Sequence, residues 1–380
     1  MRRILLLAGL LLACVQAFSQ GIQWGPWVTE TREKSLTVLW VSKDPGMGWV
    51  QLADTTRIWE TFAGRRIFQR LHRVHLDGLK PGTPVRYRVG GQNIKDDSNA
   101  RNPEFGSSYV GAWQEVTTLS RRVPGCRFSV FNDIHLRTDK YSALAGQVNV
   151  ATHDFLFLNG DIASAGNYTL DSLVRYELAP LGNLAARLPV FFARGNHEGR
   201  GNNPKLVADI FPNSDPAPFY YTFRQGPVAF LVLDAGETGH DRSILYSGGP
   251  VYEDYLEKQL KWARKAVLSP SFLFSRVKVC ILHVPMIDHP DKNDYLLQRW
   301  LNQHFMKFLN SVGIDLMIGA DLHEFMYCEP GTMGNKFPII VNDDARRLEV
   351  FINREKIILQ TWNAEGKEEF SKVINRSETM

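Results

Sequence analysis

The segment Val190-Phe191-Phe192-Ala193-Arg194-Gly195-Asn196-His197-Glu198 switches from an apolar run to a polar, glycine-containing run within one residue. A short apolar run that ends at such a switch is typical of a strand buried on both faces of a sheet. Similar runs recur between residues 128 and 318, and helical spacing lies between them at 170–188 and 252–267. This alternation predicts an α/β fold in which helices cover the faces of the strands.

The polar residues that follow these runs are of types that bind metal ions. Asp, Asn or His comes closely after five of the runs: 128–131, 155–158, 190–193, 277–282 and 316–318. Since ligands of open α/β sheets bind beyond the carboxyl ends of the strands, we expect these side chains to meet at one edge. A capping or loop role explains any one of them alone, but the repetition favours a shared site. The candidate ligands are Asp133, His135, Asp161, Asn196, His283, Asp321 and His323.

The chemistry of this set indicates the class of cofactor. Carboxylate, imidazole and amide oxygen together suit borderline-to-hard divalent ions such as Mn, Fe or Zn. Gly160 and Gly195 fit sharp turns that bring the backbone close to such ions. We therefore expect a pair of divalent ions at this edge, and the residues leave the identity of the metal open.

The composition and residue pattern of the region 20–122 are typical of a separate all-β domain. Residues 35–41 are rich in β-branched and aromatic side chains, and residues 71–76 alternate strictly between polar and apolar. Pro45-Gly46 has the composition of a turn, and residues 91–108 have that of a loop. Short strands at such spacing predict a small β-sandwich.

The order of the polar motifs resembles that of the calcineurin-like metallophosphoesterases. The motifs are Asp-x-His at 133–135, Gly-Asp at 160–161, Gly-Asn-His-Glu at 195–198, a later His283 and a final x-His at 322–323. The resemblance covers roughly residues 127–328, and residues 71–89 are similar to the fibronectin-type-III-like domain of purple acid phosphatases. It implies a four-layer sandwich of two mixed sheets flanked by helices over residues 123–376, after a β-sandwich at 20–122.

The resemblance also implies a role for each motif residue. One ion would be bound by Asp133, His135, Asp161 and His323, and the other by Asp161, Asn196, His283 and Asp321. Asp161 would bridge the ions. His197 would contact the phosphoryl group or the leaving oxygen, with general acid catalysis as its first candidate role. Its orienting partner would be the adjacent Glu198, or else Asp133 or another carboxylate. The implied activity is hydrolysis of a small phosphate ester, as a phosphatase or a phosphodiesterase, by a metal-bound hydroxide.

Two positions depart from the family pattern. Asp321 stands where the family has the first histidine of Gly-His-x-His, so it can bind an ion directly, bind through a water, or remain outside the coordination sphere. Ser164 stands where purple acid phosphatases carry a metal-binding tyrosine, so no purple colour is expected. The substitution at Asp321 is the feature that favours the alternative function, a catalytically impaired binding or scaffold protein.

Three further side chains are weaker candidates for substrate binding. Arg137 and Arg194 flank the motifs and could bind phosphate oxygens in a bidentate manner. An ion pair within the protein explains both arginines equally well. His289 follows His283 by six residues, and a surface position is the simpler explanation for it.

The N-terminus has the pattern of an export signal. A basic start, Met1-Arg2-Arg3, precedes an apolar run at 4–15 that is too short to span a bilayer. We expect a signal peptide at 1–19, processed before Gln20 or at a lipoprotein box that would place a lipid anchor on Cys14; a buried N-terminal helix is the remaining alternative. Export would place the protein in the periplasm, on the outer membrane as a lipoprotein, or outside the cell.

The rest of the chain indicates few other partners. The 380 residues carry a formal net charge of +4 without a dense Lys/Arg tract, which argues against a nucleic-acid-binding patch. No later stretch is apolar for long enough to predict a transmembrane helix.

Overall fold

The computed structural model describes residues 21–201, 204–213, 217–243, 248–287, 300 and 302–376. The expected signal peptide, Cys14 and His289 lie outside these residues. Within the described ranges, no helix combines the length and the apolar character needed to cross a bilayer.

The N-terminal region is an antiparallel sheet of seven strands with a small separate hairpin. The sheet strands are β1 (Ile22–Thr29), β2 (Leu36–Leu52), β3 (Arg57–Trp59), β6 (Gln69–Leu76), β7 (Pro84–Asp96), β8 (Glu104–Val110) and β9 (Gln114–Thr117). The hairpin strands are β4 (Thr61–Phe62) and β5 (Arg65–Arg66).

The long strand β2 joins two halves of this sheet. Its first half pairs with β1 and β6, and its second half pairs with β3 and β7. Trp40 from the first half packs in one core with Val50 and Tyr87, and all three are fully buried. The prediction of an all-β N-terminal region is confirmed, whereas its likeness to a fibronectin-type-III domain stays a prediction.

Two local predictions in this region are wrong. Pro45-Gly46 is not a turn, because β2 continues through it and only its register with β6 shifts between Val41 and Gly46. Residues 91–108 are mostly strand, because β7 runs to Asp96 and β8 begins at Glu104. At Pro45-Gly46, pairing of β2 with the distant strand β7 outweighs the local preference for a turn. Within residues 91–108, β7 and β8 pair with each other as a hairpin.

The remaining described residues contain two six-stranded sheets. Sheet one has the order β12 (Val190–Ala193), β11 (Phe155–Asn159), β10 (Gly125–Phe131), β19 (Arg346–Asn353), β20 (Lys356–Asn363) and β21 (Glu368–Asn375). Sheet two has the order β13 (Tyr221–Gln225), β14 (Val228–Val232), β15 (Val277–Ile281), β16 (Leu316–Gly319), β18 (Ile339–Val341) and β17 (Met326–Cys328).

Helices cover the outer faces of both sheets. The α-helices are α1 (Thr138–Ala145), α2 (Leu170–Glu177), α3 (Leu184–Arg187), α4 (Lys205–Ile210), α5 (Tyr252–Ala266), α6 (Pro270–Leu273) and α7 (Lys307–Val312). Short 3-10 turns lie at Ala179–Leu181 and His197–Gly199, and a π-helical turn lies at Asn302–Met306. The predicted helix at 170–188 is interrupted where Pro180 and Gly182, the latter with φ of 55°, separate α2 from α3.

Three apolar cores separate these layers. Side chains of both sheets, among them Phe128, Phe155 and Phe230, form the central core. The helices on sheet one and the helices on sheet two each enclose an outer core. The predicted four-layer sandwich of two mixed sheets flanked by helices is therefore confirmed.

The N-terminal sheet contacts the region of the two six-stranded sheets through hydrogen bonds as well as through packing. Arg70 binds the Asp171 carboxylate through two nitrogens, at 2.8 and 2.9 Å. Trp24 Nε1 donates to the same carboxylate at 3.0 Å, and Trp27 Nε1 donates to the Ile210 carbonyl at 2.8 Å. The contacts fix this sheet against helices α2 and α4.

Candidate metal centre

The predicted ligands come from two sheets rather than from one sheet edge. Strands β10, β11 and β12 run parallel in sheet one, and β14, β15 and β16 run parallel in sheet two. The two sets of carboxyl ends meet where Asn159 contacts the end of β15: its Nδ2 donates to the Leu282 carbonyl at 3.2 Å, and its carbonyl accepts from His283 Nδ1 at 2.6 Å. The expectation of one sheet edge is thus corrected to one edge of the sandwich.

Two carboxylates lie at the centre of the cluster. Asp133 Oδ1 is 3.8 Å from Nε2 of both His135 and His323, and 3.9 Å from Nε2 of His283. Asp161 Oδ2 is 3.4 Å from His283 Nε2 and 3.8 Å from His135 Nε2. Since the two carboxylates share His135 and His283 as neighbours, the side chains surround a common space of ion-binding size.

The histidine rings are oriented by contacts on their far sides. Because His283 Nδ1 donates to the Asn159 carbonyl, its Nε2 faces the carboxylates, which is the arrangement usual for metal-binding imidazoles. His135 Nδ1 lies 3.2 Å from Ser164 Oγ, and its Nε2 lies 3.2 Å from His323 Nε2. Two imidazole lone pairs can face each other at this distance only with a proton or a cation between them.

Three buried polar atoms support binding of a cation. Asp133 Oδ1, Asn196 Oδ1 and His283 Nε2 have no hydrogen-bond partner among the residues that the structure describes. Asp133 is 0% exposed and Asp161 is 2% exposed, so both carboxylates are removed from water. Buried carboxylates need a compensating positive charge. The donor set of carboxylate, imidazole and amide oxygen fits divalent ions in both charge and chemistry.

The charges inside the cluster alter the pKa values of its members. Burial disfavours a charge on His283, but the Asp161 and Asp133 carboxylates outweigh it and raise the pKa of His283 well above its usual value. Burial would raise the pKa of Asp161, yet the neighbouring His283 holds it well below its usual range. Burial lowers the pKa of His135 to about 4. A proton on His283 therefore offsets part of the negative charge of these carboxylates.

Backbone strain is concentrated at the predicted ligands. The φ angles are 52° at Asp133, 46° at His135, 53° at Asp161, 68° at Asp321 and 56° at His323. Non-glycine residues rarely adopt this left-handed region, and each instance costs on the order of 1–3 kcal/mol. Strain of this kind persists where the surrounding structure holds it, which is typical of functional sites.

Two glycines allow the loops to approach closely. A Cβ on Gly195 would lie 2.1 Å from Asp161 Oδ1, and a Cβ on Gly160 would lie 2.5 Å from the Gly195 nitrogen. Gly160 also has φ of 77°. Both positions therefore require glycine, in agreement with the sharp turns inferred from the sequence.

His197 faces the same space with a defined tautomer. Its Nε2 lies 3.8 Å from Asp161 Oδ2, and its backbone N–H donates to Asp161 Oδ1 at 3.0 Å. The Ala165 backbone N–H donates to His197 Nδ1 at 3.1 Å, so the ring carries its proton on Nε2. The ring therefore presents a hydrogen-bond donor to the cluster.

The prediction that Glu198 orients His197 is wrong. The Glu198 carboxylate accepts hydrogen bonds from the backbone N–H groups of Asp161, Ile162 and Gly195 at 3.0, 3.0 and 2.9 Å. Burial raises the pKa of Glu198 to about 8. Glu198 thus braces the two loops that carry Asp161 and Asn196, and the Ala165 amide is the group that orients His197.

Of the two explanations for Arg194, the structure favours the ion pair within the protein. Its Nη2 lies 2.7 Å from Asp234 Oδ2, and its guanidinium carbon lies 4.7 Å from the Phe219 ring centre and 5.3 Å from that of Tyr252. The side chain is buried, so no surface of the guanidinium is available to a substrate. Arg194 is a structural residue that joins β12 to the end of β14.

The guanidinium of Arg137 is also engaged within the protein. Its Nε donates to the Ile134 carbonyl at 2.8 Å, its Nη2 to the Asp133 carbonyl at 2.6 Å, and its Nη1 pairs with Asp344. These bonds hold the strained backbone at Asp133. The structure therefore favours the ion-pair explanation of Arg137 over a phosphate contact.

Asp321 lies at the border of the cluster. Its Oδ1 is 3.9 Å from His283 Nε2, and its backbone N–H donates to Asp133 Oδ2 at 3.1 Å. A carboxylate at this place can reach an ion beside His283 either directly or through a water. The third alternative, a position outside the coordination sphere, is also compatible with these distances.

Two contributors to the site were missed in the sequence. Asn132 donates from Nδ2 to Asp133 Oδ2 at 2.8 Å and fixes that carboxylate. Glu237 accepts from Asn196 Nδ2 at 3.2 Å and pairs with Arg200. The signal for Glu237 was present, because it lies in a polar loop that follows the apolar strand β14.

Comparison with known proteins agrees with this geometry. The family model described as calcineurin-like phosphoesterase matches residues 126–325. No curated protein matches the chain. The structure of PhoD is similar over 96% of this chain and 94% of its own, with 12% identity and a TM-score of 0.60, which shows a shared fold that includes the N-terminal sheet.

Other solved structures are similar over 67% of the chain. A conserved protein of Streptococcus pneumoniae TIGR4, described as a predicted phosphoesterase, covers 67% of this chain and 99% of its own at 11% identity and a TM-score of 0.34. Vacuolar Protein Sorting 29 of Cryptosporidium parvum covers 67% of this chain and 100% of its own at 10% identity and a TM-score of 0.32.

Proposed function

Since the chain belongs to the calcineurin-like phosphoesterase family and is a metal-dependent hydrolase of phosphate esters, we propose that it works with two divalent ions at this cluster. The observation that carries the proposal is the set of three buried atoms, Asp133 Oδ1, Asn196 Oδ1 and His283 Nε2, that have no hydrogen-bond partner among the described residues. The metal is Mn, Fe or Zn, and the substrate is a small phosphate ester.

The proposed ligand sets follow the neighbours of the two central carboxylates. The first ion is held by Asp133, His135, Asp161 and His323, and the second by Asp161, Asn196, His283 and Asp321. Asp161 would contact both ions, and its short distances to His283 and His135 support this role. When bound, two such ions supply a water whose pKa falls from about 15.7 to about 7 and draw charge from the phosphoryl oxygens.

His197 is proposed to stabilise the phosphoryl group or the leaving oxygen by donating a hydrogen bond from Nε2. A second proton on the ring would have to sit on Nδ1, opposite the Ala165 N–H donor. Burial also lowers the pKa of His197. Both effects favour a neutral donor over the general acid that the sequence suggested.

The domain division is part of the proposal. Residues 20–122 would form a β-domain that braces helices α2 and α4, and residues 123–376 would form the hydrolase domain. The contacts of Trp27 and Arg70 across this boundary support a rigid attachment.

Hydrolysis of chromogenic esters tests the proposed function. Purified protein loaded with Mn, Fe or Zn should hydrolyse p-nitrophenyl phosphate, bis(p-nitrophenyl) phosphate or both, and chelation should return the rate close to that of enzyme-free buffer. Re-addition of metal should restore the rate. A protein that binds no metal under any loading, or that binds two ions without hydrolysis, would support the scaffold alternative.

Metal affinity is expected to rise with pH. Because the pKa of His283 is raised, its ring holds a proton at neutral pH, and an ion must displace that proton to bind Nε2. Because binding of the ion displaces one proton, the association constant for the metal should rise about tenfold for each pH unit. This rise should stop once the pH exceeds the pKa of His283. Titration calorimetry with Mn in buffers of different ionisation enthalpy should detect the released proton. An affinity that is the same at pH 6 and pH 8 would contradict protonation of His283 in the metal-free protein.

A further inference from the structure

We propose that Glu237 is a positioning residue for Asn196, because it determines which amide atom of Asn196 faces the ions. The inference rests on the proposed function, in which Asn196 is a ligand of the second ion. Nothing in the family motifs assigns a role to Glu237, which lies in the loop between β14 and α5.

The contacts of Glu237 hold its carboxylate in one position, where it accepts hydrogen bonds. The residue is 2% exposed. Its Oε1 accepts from Asn196 Nδ2 at 3.2 Å and from the Thr238 backbone N–H at 3.0 Å. Arg200 binds both carboxylate oxygens, with Nη2 at 2.6 Å from Oε1 and Nε at 2.8 Å from Oε2. The bidentate pair keeps the carboxylate ionised and fixed in orientation.

The consequence for Asn196 follows from the chemistry of an amide. One end of the Asn196 side chain donates hydrogen bonds and the other accepts them, and the two ends have nearly the same shape. An ionised carboxylate only accepts, so the NH₂ group must face Glu237 and Oδ1 must point the other way. Oδ1 is the atom that is buried without a hydrogen-bond partner in the described part of the chain.

The opposite orientation would be unfavourable at both ends. It would set Asn196 Oδ1 against the Glu237 carboxylate and turn two N–H donors toward the cations. Only the oxygen of an amide binds a divalent cation. The pair of Glu237 and Arg200 therefore selects the one orientation of Asn196 that serves the second ion.

The first test is the isosteric variant Glu237→Gln, which removes the charge and allows either end of the new amide to face Asn196. Loss of a residue that orients a ligand typically weakens metal binding by about 10–100-fold. We expect the affinity for one of two Mn equivalents to fall by this factor, with the other little changed. Elemental analysis and calorimetry measure both. Glu349→Gln is the matched control, since Glu349 is a partly buried carboxylate paired with Arg127 and Arg347.

The second test separates orientation from general destabilisation. In the double variant Asn196→Asp/Glu237→Gln, the new carboxylate accepts from the amide at position 237 with one oxygen and keeps the other for the ion. A carboxylate at position 196 has no donor end that could turn toward the ion. We therefore expect Glu237→Gln to weaken binding of the second Mn in the Asn196 protein but not in the Asn196→Asp protein, whereas a merely structural role would weaken it in both. Melting temperatures of the metal-free proteins show whether folding differs.

Two results would overturn the inference. One is a Glu237→Gln protein that retains both Mn equivalents at the affinity of the native protein. The other is a double variant that binds the second Mn about tenfold or more weakly than Asn196→Asp alone. Hydrolysis and metal content of the native protein, measured alongside, report separately on the proposed function.

Discussion

Asp161→Ala is expected to lower kcat/KM by at least about 10⁴-fold and to remove both metal ions. The carboxylate lies between the two proposed ligand sets, 3.4 Å from His283 Nε2 and 3.8 Å from His135 Nε2. Without it, neither ion would keep a full ligand set, and the centre would no longer lower the pKa of a bound water. Assays with a chromogenic ester measure kcat/KM, and elemental analysis measures the bound metal.

A matched control distinguishes loss of the centre from loss of the fold. Asp154 is a carboxylate held by the Arg127 backbone N–H at 2.7 Å and by Gln225 Nε2 at 2.6 Å. Asp154→Ala should keep both ions and most of the activity even if the melting temperature falls. An Asp161→Ala protein that retains two ions, or more than one per cent of the activity, would show that Asp161 does not bridge.

His197→Ala is expected to lower kcat by about 10²–10³-fold while leaving the metal content unchanged. This range is that of losing one preorganised hydrogen-bond donor at a developing negative charge. The ring contacts the centre through Nε2, and its backbone N–H bond to Asp161 does not depend on the side chain. The rate with saturating ester and the bound metal are measured on the same sample. His75→Ala, in the N-terminal sheet, is the control.

Leaving groups of different basicity separate the two roles of His197. If it donates to a phosphoryl oxygen, the loss in His197→Ala should be similar for p-nitrophenyl and alkyl esters. If it transfers a proton to the leaving oxygen, the loss should grow with the pKa of the leaving alcohol. A loss of bound metal in His197→Ala would contradict both roles and make His197 a ligand.

The clustering of the proposed ligands could be predicted because each motif follows a change from apolar to polar residues at a strand end. Their division between two sheets could not be predicted, because it depends on pairings between segments far apart in the chain. Strand β10, for example, pairs with β19, and Gly125 lies opposite Asn353. The order of polar and apolar residues along one strand does not indicate which distant strand will pair with it.

The roles of the residues beside the motifs were harder to predict. Glu198 adjoins His197 in the chain, but the two belong to a 3-10 turn, in which consecutive side chains diverge by about 120°. Arg194 adjoins Gly195, yet its partner Asp234 follows a strand of the other sheet. Adjacency in sequence therefore suggested contacts that the backbone geometry does not allow.

Anomalous diffraction from crystals of the Mn-loaded protein tests the central claim most directly. The account predicts two peaks, one among Asp133, His135, Asp161 and His323 and the other among Asp161, Asn196, His283 and Asp321, with Asp161 contacting both. A single peak, or peaks that leave Asn196 and His283 without a metal contact, would contradict the two-ion centre.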